Sequence, residues 1–196
     1  MKIISAVLTV SMMTVALGVG SSTPAQSCDY QPIPTPSEQV RTYSTDLGIQ
    51  IDIPRNYRIR HDWGYNRLGE RQSRLEVVDP ATFDYDQCLV ERGELLGERT
   101  PPLLTVTEVR LNEPQGEFAD VVAARYGWMM SDVTIQQLNG VPALITIYPN
   151  DYQQMNKAVF WRSPGGDRLI MLNGLIDDPH HAAALDHAIQ SFEIAL

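Results

Sequence analysis

The stretch "DVTIQQLNGVPALITIYP", residues 132–149, decides the fold of this chain. Two runs rich in β-branched and aliphatic residues flank Asn139-Gly140. That dipeptide tolerates positive φ and is the strongest short-range hairpin signal. The stretch therefore reads as two antiparallel strands joined by a two-residue turn. A second pair follows at once: "NKAVFWRS" (156–163) and "DRLIMLNGLI" (167–176) flank the turn residues Pro164-Gly165-Gly166.

Upstream, "GIQIDIP" (48–54) alternates Ile49, Ile51 and Ile53 with Gln50 and Asp52, as a half-buried strand does. "SRLEVVDP" (73–80) and "LLTVTEVRL" (103–111) read as two more strands. From Pro114 to about Met130 the period changes to that of a helix. Phe118, Val121, Val122 and Met129 then share one side. The chain closes on a second helix: Asp178 suits the N-cap, Pro179 the first helical position, and Ala182, Leu185, Ile189 and Phe192 form the buried stripe. Strands, a helix, four antiparallel strands and a final helix predict an α+β domain. Its central antiparallel sheet is flanked by helices as an α/β/α sandwich.

The first residues, "MKIISAVLTVSMMTVALGVGSSTPAQSC", combine one cation at Lys2, an apolar run and a small-residue end. This is the layout of an export signal, with a cut before Cys28 or after Ala25. The expected organisation is a signal peptide at 1–27, a Pro-rich linker at 28–40 and one domain at 41–196. Losing Lys2 takes the net charge from −9 to −10. So acidic a chain does not suit nucleic-acid binding, which needs a cationic surface. No membrane span is expected after cleavage, and a monomer is expected.

Two cysteines occur, Cys28 and Cys88. In an exported protein they read as a disulfide pair. A second reading makes Cys28 the lipid-bearing residue of an anchored protein, and the two exclude each other.

Several of these stretches together resemble the PsbP family, extrinsic lumenal proteins of photosystem II. They are "LGIQIDIPRNY" (47–57), "QQLNGVPALITIY" (136–148), the pair "AVFWRS" and "RLIMLNGLI", and "ALDHAIQSFEI" (184–194). The resemblance runs from Thr42 to Leu196. It implies the PsbP-like α+β fold, a thylakoid-lumen or periplasmic location and a role beside a membrane complex. It carries over no functional residue, because the family is not defined by a catalytic constellation. The acidic stretch from Asp79 to Pro102 has no counterpart in it and reads as a charged, solvated loop.

The most unusual surface signal is "RNYRIRHDWGYNRLGERQSR", residues 55–74. Six arginines stand there against Asp62 and Glu70, a local charge of +4 in an acidic chain, with Tyr57, His61, Trp63 and Tyr65 interleaved. Arg58, Arg60, Trp63, Tyr65 and Arg67 are the expected partner-binding residues, since arginine and aromatics anchor interfaces. In the competing reading the aromatics pack on the sheet and the arginines pair with the acidic stretch. Arg125 falls within an apolar helical stripe and is expected to reach past the helix end to water. His180 and His187 lie seven residues apart on the outer face of the last helix, about 10.5 Å, too far for one metal ion.

No nucleophile elbow, phosphate loop, dinucleotide fingerprint or paired-cysteine zinc pattern is present, so no catalytic, metal or cofactor residue is assigned. The expectation is a non-catalytic accessory protein outside the cytoplasm that binds a protein partner, a subunit of a photosynthetic membrane complex in its most specific form. The competing expectations are a periplasmic or secreted adaptor that docks through the Arg/aromatic surface, and an enzyme with an unrecognised site.

Overall fold

A computed structural model describes residues 27–45, 48–94, 101–112 and 116–194. The expected leader, apart from Ser27, lies outside these residues. The elements in chain order are β1 (Val40–Ser44), β2 (Ile49–Pro54), β3 (Arg58–Tyr65), β4 (Arg71–Val78), α1 (Pro80–Glu91), β5 (Leu104–Arg110) and α2 (Phe118–Tyr126). A single 3-10 turn follows at Gly127–Met129. Then come β6 (Val133–Leu138), β7 (Val141–Pro149), β8 (Met155–Arg162), β9 (Arg168–Leu175), α3 (Pro179–Ser191) and β10 (Glu193–Ile194).

The central sheet has seven strands in the order β3-β4-β5-β9-β8-β7-β6, every neighbour antiparallel. The Asn139-Gly140 hairpin forms as read, with both residues at positive φ (52° and 77°) and Leu138 paired to Val141. A second sheet of three short strands, β1-β2-β10, was not anticipated as a separate unit.

Strand alternation divides the apolar residues between two cores. On β8, Val159 and Trp161 belong to the first core, and Ala158 and Phe160 to the second. The first core joins one sheet face to Ile49, Ile51 and Ile53 of β2 and to Leu185, Ala188, Ile189 and Phe192 of the closing helix. Phe192 stacks on Trp161 with centroids 4.0 Å apart. The second core joins the other face to Val121 and Val122 of α2 and to Met129. The α+β class holds; α2 covers one face, while α3 and the small sheet share the other.

Two element assignments are corrected. Residues 80–91 are a helix, not part of a loop: Asp79 accepts from the Thr82 N–H at 2.8 Å and Pro80 follows at the first position. The middle helix begins at Phe118 rather than Pro114, which lies outside the described residues.

The Pro-rich stretch runs along the domain. Cys28 is disulfide-bonded to Cys88 on α1 with Cα atoms 5.8 Å apart. The Tyr30 hydroxyl meets the Thr82 hydroxyl at 3.0 Å, and the Tyr57 hydroxyl donates to the Pro34 carbonyl at 3.2 Å. The lipid-anchor reading of Cys28 is corrected by that bond, because the sulfur is already committed. Among the described residues no helix is long and apolar enough to cross a membrane.

Candidate functional site

The Arg/aromatic segment becomes β3, an edge of the large sheet, so one side of its backbone has no neighbouring strand among the described residues. Alternation splits the predicted residues. Ile59, His61, Trp63 and Tyr65 point to the face of the first core, and Arg58 and Arg60 to the other.

The packing reading describes part of this segment. Tyr57 is buried, and burial, with Asp79 and Asp178 adding to it, pushes its hydroxyl up to about 12. Arg60 is an internal brace: its guanidinium holds Glu76 and Asp86, each at 2.6 Å, and so ties β3 and β4 to α1. Trp63 and Tyr65, by contrast, are 70% and 67% exposed. Arg58, Arg67 and Arg71 are exposed and make no ion pair among the described residues.

Beside Trp63 the sheet carries a half-open groove of about 570 Å³, lined by His61, Trp63, Arg71, Glu108, Arg110 and Arg168 among others. His61 Nε2 is hydrogen-bonded to the Tyr43 hydroxyl at 3.0 Å. Glu108 is buried, its Oε1 accepting from Arg168 at 3.3 Å and its Oε2 without a hydrogen-bond partner among the described residues. Burial pushes the Glu108 carboxyl up, against the pull of the nearby Arg168 guanidinium. Sequence reasoning found the Trp63 side of this groove and missed Glu108, Arg110 and Arg168. The available signal was a lone glutamate in the otherwise Val/Thr-rich run "LTVTEV".

The remaining candidates resolve structurally. Arg125 does not reach water past the helix end. Its Nε donates to Glu70 Oε2 at 2.8 Å and its Nη2 to Oε1, forming a fork on a carboxylate that is itself buried. Asn66 and the Asn112 N–H also bind that carboxylate. Burial opposes ionisation of Glu70, but these hydrogen bonds prevail and hold its carboxyl below the usual glutamate range. Of the terminal histidines, His180 and His187 are exposed, and His187 Nε2 lies 3.5 Å from Asp52. Asp178 caps the helix, accepting from the backbone N–H groups of His180 and His181 at 2.9 and 3.0 Å. Asp86 of the acidic stretch is taken by Arg60.

No family model matches the chain, and no curated protein matches it in sequence. It is similar in structure to cyanobacterial PsbP (CyanoP) from Synechocystis sp. PCC 6803. The two share 16% identity, the match covers 88% of this chain and 99% of that one, and the TM-score is 0.49. At that level the likeness says nothing about what this chain does.

Proposed function

We propose that this chain is an extracytoplasmic accessory protein that docks a partner protein through the outer edge of β3. The observation that supports this reading is the exposed pair Trp63 and Tyr65 on an edge strand, with Arg58, Arg67 and Arg71 exposed on the same hairpin and in no ion pair among the described residues. Exposed aromatics beside arginine are the usual anchors of an interface. These exposed cations favour an acidic partner surface, and their field speeds encounter. Its specific form is a role in assembly or stability of a photosynthetic membrane complex. That form rests on the sequence resemblance to PsbP proteins.

The test is affinity capture with the mature protein at rising salt, beside Trp63→Ala and the double variant Arg58→Ala/Arg67→Ala. The expected result is a partner recovered by the wild type, lost with Trp63→Ala and lost at lower salt by the double variant. Equal recovery by all three proteins would overturn the proposal. Co-fractionation with thylakoid membranes, released by salt, separates the photosynthetic form from a general periplasmic adaptor.

A further inference from the structure

On the opposite face of the sheet from Trp63, beside the end of α2, lies a second pocket of about 310 Å³. Apolar residues fill this face under α2, whereas here the neighbouring strands present Thr105, Thr107, Asn156 and Asn173. Thr105 pairs directly with Asn173, and Thr107 with Met171, so these groups form one continuous patch.

The two amides are short of partners. Asn156 and Asn173 each donate through Nδ2 to the Tyr148 hydroxyl, at 3.3 and 3.0 Å. Both Oδ1 atoms are buried and have no hydrogen-bond partner among the described residues. Thr105 and Thr107, 5% and 6% exposed, line the same pocket. Buried polar groups cost free energy unless bonded, so such a cluster in a pocket wall fits a ligand that supplies the bonds.

The wall above this patch is aromatic. Trp128 is 68% exposed and held edge-on to Tyr148, with centroids 5.4 Å apart. Among the described residues only Arg74 and Asp151 line the pocket with charge, and Arg74 already pairs with Glu76 at 3.1 Å. Nothing here selects an ion. The set calls for a molecule with an apolar face for the indole and several groups that both donate and accept, which is the chemistry of a hydroxyl. A pyranose ring has C–H groups on its faces and hydroxyls around its rim. We infer that this pocket binds a neutral saccharide, with Trp128 stacking on the sugar face and Thr105, Thr107, Asn156 and Asn173 holding its hydroxyls. The site is independent of β3 docking.

The test is an NMR titration of the mature, disulfide-bonded protein with maltohexaose, cellohexaose and chitohexaose, and with a heparin hexasaccharide as the charged arm. The expected result is saturable movement of the Trp128 indole and the Asn156 and Asn173 side-chain resonances by a neutral oligosaccharide. Trp128→Ala and Thr107→Val should each weaken it by about tenfold or more, and Trp63→Ala should not. Thr107→Val nearly preserves shape and carries the test if Trp128→Ala fails to fold. The proposal falls if no neutral oligosaccharide moves these resonances, if only heparin does, or if binding survives Thr107→Val undiminished.

Discussion

The Asn139 side chain donates through Nδ2 to the Phe192 carbonyl at 2.8 Å, and to the Gln190 carbonyl at 3.1 Å. The residue that makes the β6–β7 turn thus also caps the last turn of α3, where carbonyls have no partner within the helix. Asn139→Gly should keep the turn, since glycine accepts positive φ, and lose only the cap. The expected cost is about 1 kcal/mol. Asn139→Ala should cost more, because alanine must also hold a φ of 52°. Urea denaturation of both variants checks the order.

Glu70 and Arg125 join the β3–β4 turn to α2 through a buried fork. Breaking such a pair from one side strands the other charge, so Glu70→Gln should destabilise by about 3 kcal/mol. The folded-state carboxyl titrates below its ordinary value of 4.5. Its contribution is therefore complete above that pH and is lost as pH falls through the lower, folded value. Thermal melts should show the gap between wild type and variant narrowing on acidification below pH 4.5.

Arg60 and Arg58 are two residues apart and should behave oppositely. Arg60→Ala leaves Glu76 and Asp86 without their shared guanidinium and should lower thermal stability. Arg58→Ala touches no ion pair among the described residues and should leave the melting curve unchanged while shifting the salt dependence of partner capture.

Gly174 sits in β9 where a Cβ would stand 2.7 Å from the Leu103 carbonyl oxygen. That contact is backbone and cannot swing away. Gly174→Ala should cost about 1–3 kcal/mol by chemical denaturation, although alanine suits a strand better in the abstract.

The Cys28–Cys88 bond spans 60 residues of sequence, and the chain-entropy model gives it about 4 kcal/mol. Cys88→Ser should lower the denaturation midpoint and free the Pro-rich stretch to proteolysis. Limited digestion of wild type and variant under non-reducing conditions reads both effects.

Legibility differed among elements for physical reasons. The β6–β7 hairpin was legible because Asn-Gly is a local signal and its consequence is local. The closing helix was legible from Asp178-Pro179 and its apolar spacing. The same Asp-Pro start occurs at Asp79-Pro80, yet α1 read as a loop, because it buries only Ala81, Thr82 and Leu89 and shows little apolar stripe. A helix held by a disulfide, an N-cap and the Arg60–Asp86 pair leaves little trace in hydrophobic spacing.

Arg125 shows the same limit at a single side chain. Its position in an apolar stripe was visible, but the carboxylate that receives it lies 55 residues earlier. The sequence by itself determined the β6–β9 strands and their hairpin turns, the closing helix and the unusual charge of residues 55–74, since each depends on neighbours in the chain. Tertiary structure alone decided that Arg60 and Arg125 are braces, that Glu108 faces the Trp63 groove, and that Thr105 meets Asn173. Those outcomes depend on which strands pair and in what register, and the strands that meet there are distant in sequence.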